Sequence, residues 1–568
     1  MMKHISIRNI LSCVIPAFFF AVFMVLGRSF YEDNSWDLVF GSTELLKTSV
    51  LHGIGYWVLF SVCIAVLFHL LDRLSERKHG EHLWPKPIRF YLKLLHRHPI
   101  ATTFFTLLIL YLPYMIYSFP GILTSDTVAQ LENGYAALFA GSSSLKNHHP
   151  IVHTLLLYGF TRFGALVFHS TNIGLGLFSL LQICFLFFTI GWLMQFLLER
   201  HVSSRCLGLI FLFYVLSPRI RNYMFLLVKD TWFAGFLLLF LVELYRILTV
   251  QNWSSVEKWY HRGMFLFSVL GIFFFRQEGV YLIVLTSLVV LIFTRRRFFL
   301  QLAAFTFAGF LLYTQVILPA CDVRPSNPRE MLSIPFQQTA RYLRDAGDDV
   351  TPEEKAAISA ILDYEGLPEL YNPNLSDPVK ATYDDETGLD ELITYFQAWY
   401  QMLLRHPDIY VQATMNNLYA YFYPGGFTTK LYSYDNSTEH LDELNESLAD
   451  YGASFHYPAA FDSVRQELET THESIFQLPG LIYFNYTATY IWLLILWFFY
   501  CIRRRNHKGL LLLTPLMIVL LVCMAGPTYG WYFRYAYSIA FCLPAVILTT
   551  WSEYRYDTKE IQEIPTSD

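Results

Sequence analysis

Apolar runs of about 20 residues, each long enough to cross a hydrocarbon layer of roughly 30 Å, recur along nearly the whole chain. Few features constrain a fold more. In lipid every backbone N–H and C=O must be satisfied within the protein, which leaves helices or closed barrels, and uninterrupted runs of this length read as helices. Thirteen apolar segments of varying length fall near 10–27, 51–71, 100–118, 152–168, 173–197, 207–226, 231–249, 263–275, 278–294, 298–319, 480–502, 509–526 and 532–551. Composition agrees: 54% of the 568 residues are apolar and only 15% are charged, against about 25% charged in soluble domains. The expected fold is an all-α polytopic membrane protein with about 12–13 transmembrane helices.

Lys and Arg stay on the cytoplasmic side of such proteins. Lys3 and Arg8 place the N-terminus inside, and the basic loop from Arg73 to Arg97 falls inside after two crossings. The third helix then delivers residues 119–150 to the outside. Arg295, Arg296 and Arg297 should also be inside, yet nine full crossings would leave them outside, so one of the nine segments does not cross. If that segment lies between 150 and 230, Asp230 faces outside. If 263–275 and 278–294 form one tilted helix, Asp230 faces the cytoplasm.

The chain divides into N-terminal helices with a basic loop (1–98), a membrane core (99–319) with its outer loop, an acidic extracytoplasmic insertion (320–478), C-terminal helices (479–551) and a cytoplasmic tail (552–568). The insertion carries Asp345-Ala346-Gly347-Asp348-Asp349 and Tyr383-Asp384-Asp385-Glu386. Its segments Pro352 to Leu362 and Glu391 to Leu404 have helical spacing, which predicts a mostly helical cap. The net charge is −5, with basic residues in short clusters rather than along a face, which excludes nucleic acid as a partner. Seven of eight cysteines lie in or beside apolar segments, so a disulfide framework is not expected.

Ionisable groups at or near membrane depth are costly and need a reason to be there. Asp126, in the outer loop Pro120 to Gln130, reads as a helix cap or as an acid above the bilayer surface that binds a metal or accepts a proton. His148 and His149 precede Pro150 in the same loop, with His153 a turn beyond. They read as interfacial rings or as parts of a proton-transfer or metal site. Arg219, Arg221, Lys229 and Asp230 flank another apolar run: an ion pair at a helix end, or a second carboxylate beside Asp126 with cations that hold phosphate oxygens. Arg276 and Glu278 form an internal pair or the wall of a polar cavity. Arg534, within an aromatic belt, can grip a lipid-linked phosphate in bidentate fashion.

In order and spacing these residues resemble the GT-C class of multi-pass glycosyltransferases, which includes protein O-mannosyltransferases and the aminoarabinose transferases of lipid A. The match rests on Asp126 in the first large outer loop, His149-Pro150 before the next helix, Ser217-Pro218 followed by Asp230, and Arg534-Tyr535 near the end. It departs in three ways: two apolar helices precede the Asp126 loop helix where one is usual, an Asp-Glu pair is missing, and the insertion resembles no known ectodomain of the class.

The resemblance implies an inverting transfer of sugar from a polyprenyl-phosphate donor to a cell-envelope glycan, lipid or protein, in a bacterial cell membrane. Asp126, Asp230, His148 and His149 would serve the acceptor. Arg219, Lys229, Arg276, Glu278 and Arg534 would serve the phosphate, and Asp126 with Asp230 would hold an optional magnesium or manganese ion. It also favours Asp230 outside. An envelope polysaccharide polymerase or ligase shares these features. A transporter or flippase of lipid-linked sugars fits less well, because no internal repeat is present.

Overall fold

The computed structural model describes residues 6–76, 85–250, 258–425, 434–476, 478–480, 482–526 and 533–552. Among them the chain is helical throughout, with only isolated bridges between extended segments. In order the principal helices are α1 (Ile7–Asp33), α2 (Thr43–Glu76), α3 (Lys86–Arg97), α4 (Pro99–Ser118), α5 (Ser125–Gly134), α6 (Ile151–Phe168), α7 (Thr171–Glu199), α8 (Ser204–Leu216) and α9 (Pro218–Met224). They continue with α10 (Lys229–Thr249), α11 (Trp259–Phe275), α12 (Gly279–Thr294) and α13 (Arg297–Leu312). The insertion supplies α14 (Ser333–Ala346), α15 (Pro352–Ser359), α16 (Leu389–Arg405), α17 (Pro407–Phe422), α18 (Tyr434–Ser447) and α19 (Asp462–Phe476). α20 (Thr487–Arg504), α21 (His507–Ala525) and α22 (Phe533–Ser552) close the chain. Nine helices among the described residues are long and apolar enough to cross a membrane, and α8, α11 and α12 are shorter apolar helices. The protein is an all-α membrane protein.

The thirteen apolar segments all fall on these helices, one of them on two. The run 207–226 is broken: Ser217 is extended, at φ −67° and ψ 110°, because a residue before proline avoids the helical region. The 13-residue α8 and the buried seven-residue α9 span the bundle only together. Segments 263–275 and 278–294 are not one tilted helix. Arg276 is extended, and the chain reverses over Arg276–Glu278.

The bundle has two chemically distinct ends. At one, Asp72 binds Arg503 and Arg504, Arg246 binds Glu199, and Arg296 donates to the Ile247 carbonyl. The other end is covered by the insertion. Arg341 of α14 donates to the carbonyl of Asn34, just past α1. α17 runs down beside α1, so that Phe422 packs on Phe19 and Phe23 and Trp492 donates to the Phe422 carbonyl. The fully buried Arg465 of α19 ties the insertion's return to the end of α4 through the Tyr117 carbonyl. The cap has its own core around Phe336, Ile358, Tyr395 and Met402, yet α17 makes it part of the bundle.

α6 has both of its ends at the insertion-covered end of the bundle. His149, before its first residue, reaches Asp126 and Lys229. Just past its last, Thr171 and Asn172 donate to the Ser454 and His456 carbonyls of the insertion. α6 crosses α7 where Gly164 meets Gly174, so closely that a Cβ on Gly164 would lie 2.4 Å from the Gly174 backbone. Small residues permit this approach, as in membrane helix pairs generally. With α6 turned back, the Arg295–Arg297 cluster lies at the same end as Arg503 and Arg504. α10 is the axis of the fold: nearly all of it is buried, with Phe185, Phe236 and Phe275 packed around its Trp232.

Candidate functional site

Two short extended segments build the site. Residues before α5 and α10 run side by side, with Ile122 N–H donating to the Phe225 carbonyl and Leu227 N–H to the Ile122 carbonyl. The approach needs Gly121, at φ 155°, where a Cβ would meet Leu227 at 2.4 Å. Each segment leads into a helix whose second residue is an aspartate, Asp126 in α5 and Asp230 in α10. Thr124 caps α5 in a box with Thr127, whose hydroxyl also donates to the Leu227 carbonyl. Asp126 is therefore not the cap and is free to face the cavity. Val228 precedes α10 without a side-chain cap, so Asp230 is not a cap either. As acids in a first turn both also gain from the partial positive charge of a helix N-terminus.

Arg534 joins the two acids. Its Nη2 donates to Asp126 Oδ2 at 3.1 Å and its Nε lies 3.4 Å from Asp230 Oδ2. Arg276 Nη1 is 3.7 Å from the other Asp230 oxygen and its Nε is 3.3 Å from Glu278. Lys229 does not pair with its neighbour Asp230: its Nζ is 3.0 Å from His149 Nδ1 and 3.7 Å from Asp126 Oδ2. His148 stands edge-on to His149, with 4.5 Å between ring centroids.

These contacts fix the charge states. Burial alone would raise the Asp126 carboxyl, but Arg534 and Lys229 hold it well below the usual carboxylate range. Burial works against a charged Arg276, yet Glu278 and Asp230 outweigh it and keep the guanidinium protonated. His149 is pushed down to about 2 by burial and by Lys229. A neutral imidazole with Nδ1 unprotonated is the form that accepts from the ammonium.

The cavity these groups line is about 480 Å³. Asp126, His148, His149, Lys229, Asp230, Arg276, Glu278 and Arg534 all face it. Arg219 does not: it is fully buried, with its guanidinium over the Phe533 ring at 5.4 Å and a bond to the Asn485 carbonyl. Pro218 starts α9 inward and carries Arg219 away from the cavity. No sequence signal points to the roof, where Lys380 binds both Glu330 and Asp377 at 2.8 Å and His440 faces the same space. These residues come from the acidic insertion, where charge is unremarkable. Residues 527–532 of the aromatic belt lie outside the described residues.

As a metal site the arrangement fits poorly. A guanidinium occupies the bridging position between Asp126 and Asp230, and among the described residues no three His, Cys, Asp or Glu side chains gather as a ligand set.

A family model described as a family of unknown function, DUF6020, matches residues 138–563. The chain is a DUF6020 protein. No curated protein and no solved structure matches it. Every cavity residue named above except Asp126 falls within the part of this DUF6020 protein that the family model matches.

Proposed function

We propose that this protein transfers a sugar from a polyprenyl-phosphate carrier to a hydroxyl of a cell-envelope acceptor, with inversion at the anomeric carbon. One observation carries the reading: Asp126, Asp230, Lys229, Arg276 and Arg534 converge on a single cavity at the start of the central buried helix. Carboxylates suit a sugar or acceptor hydroxyl, and a cluster of cations suits a phosphate. The basic far end of the bundle supports a cytoplasmic placement there, so this reading opens the cavity to the extracytoplasmic side.

In the proposed reaction the acceptor oxygen bonds the anomeric carbon as the bond from that carbon to the phosphate oxygen breaks. The electron pair leaves with the lipid phosphate. Preorganised Arg276, Arg534 and Lys229 meet the charge that develops there, with Glu278 holding Arg276 in place. When the phosphate takes Arg534, Asp126 loses its main counter-charge and becomes more basic, so it orients the acceptor hydroxyl and receives its proton. Asp230 and the neutral His148 and His149 complete the acceptor side. No step is routed through a metal ion.

The test is transfer of radiolabelled sugar from polyprenyl-phosphate donors into envelope material by purified protein in lipid. Wild type should transfer, and an Asp126→Asn variant with unchanged elution and melting should lose roughly 100-fold or more. Growth of a polymer ladder would mark a polymerase or ligase instead. Movement of intact lipid-linked sugar across proteoliposomes without transfer would mark a transporter.

A further inference from the structure

At the end of the bundle away from the cavity, the turn between α3 and α4 faces the turn between α7 and α8 across a crevice of about 670 Å³. Its polar wall includes His96, Arg97, His201, Ser203 and Ser204. The one carboxylate there, Glu199, is already neutralised by Arg246 at 2.6 Å and bonded by Gln195. The guanidinium of Arg97 has no hydrogen-bond or ion-pair partner among the described residues. Arg97 therefore brings to the crevice a positive charge that no described residue neutralises.

α3 continues this charge. Lys86, Arg89, Lys93 and Arg97 follow one another at spacings of three or four residues, and so form one stripe along the helix,. Leu95 is buried and anchors α3 to the bundle, whereas Phe90 and Leu94 are exposed beside the stripe. A short basic helix with an uncovered apolar flank lies in the headgroup layer of a membrane. Beyond the crevice, toward the middle of the bundle, Phe105 and Ile109 of α4 and Leu209 and Leu212 of α8 are exposed. These two helices are joined higher up by Tyr111, which donates to the Tyr214 carbonyl. Charge at headgroup depth, with two apolar rows running inward from it, matches a phosphate attached to long acyl chains.

We propose that this crevice binds an anionic phospholipid, its phosphate headgroup at Arg97, His96 and His201 and its chains along α4 and α8. The site is separate from the cavity and does not rest on the transferase reading.

The test uses the full-length protein, stripped of lipid in neutral detergent and given phosphatidylglycerol, phosphatidylcholine or inorganic phosphate. The readouts are melting by tryptophan fluorescence and lipid retention by native mass spectrometry. Phosphatidylglycerol should raise the melting temperature and stay bound, while the other two should not. Arg97→Gln should weaken phosphatidylglycerol binding roughly fivefold, the worth of one cation beside an anionic lipid. Arg97→Lys should largely retain it, and Arg295→Gln, at the same end but outside the crevice, should leave it unchanged. Equal retention of phosphatidylcholine, an equal loss in Arg295→Gln, or the same shift from inorganic phosphate would each overturn the proposal.

Discussion

Asp126 and His149 answer differently to acid, and the difference follows from what each touches. Asp126 keeps its proton off because Arg534 and Lys229 face it, so its contribution to stability is present above the ordinary aspartate value near 4 and fades only below it. For His149 the folded value is about 2, against about 6.5 in the unfolded chain. Between those values the unfolded chain binds a proton that the folded chain refuses, so stability is complete above about pH 6.5 and erodes as pH falls. Removing the imidazole should flatten this limb. The melting temperature of wild type should fall between pH 7 and pH 4, with His149 adding at most about 1.4 kcal/mol per pH unit, and that of His149→Gln should fall less. Parallel curves for the two proteins would mean that His149 is not held neutral by Lys229 and burial.

Helix packing places those side chains, and the contact of α6 with α7 is the most sensitive joint. A Cβ on Gly174 would sit 2.2 Å from the Phe160 carbonyl oxygen, a clash with backbone that no rotamer relieves, whereas Gly159 on the same α6 has open space. Gly174→Val should therefore cost about 1–3 kcal/mol, seen as a lower melting temperature, and Gly159→Ala should be neutral or slightly stabilising. Equal effects would show that α6 does not press on α7 as described. Such joints explain what was legible in the sequence. Apolar runs report lipid, so each of the nine helices among the described residues that are long and apolar enough to cross a membrane coincides with one of them, but hydropathy carries no backbone angle, and 207–226 reads as one helix although Ser217-Pro218 already marks the break. Asp126, Asp230, Arg276 and Arg534 stood out because charge near apolar runs is costly. That argument does not say which way a charge points, so Arg219, stacked on Phe533, looked the same as its neighbours. Glu330, Lys380 and His440 were invisible because charge in a wetted acidic segment costs nothing.

For the molecule as a whole, the turned-back α6 decides on which side of the membrane every later segment emerges. A crossing α6 would put Asp126 and Asp230 on opposite sides and dissolve the cavity. A non-crossing α6 joins them and also sends Arg295–Arg297 to the end that holds Asp72, Arg503 and Arg504, where the positive-inside tendency expects them. The arrangement is testable in whole cells with single cysteines in a cysteine-free background, labelled by a membrane-impermeant maleimide. Ser142 and His169 flank α6 and Arg295 ends α12, all three exposed. Ser142→Cys and His169→Cys should react from the same face, and Arg295→Cys should react only after permeabilisation. Labelling of Ser142→Cys and His169→Cys from opposite faces would make α6 a crossing helix and separate the two aspartates. Reaction of all three from outside would leave the cavity intact and invert the remainder of the bundle. Because the cavity joins residues on both sides of α6 in the chain, its chemistry and the topology of this one helix stand together.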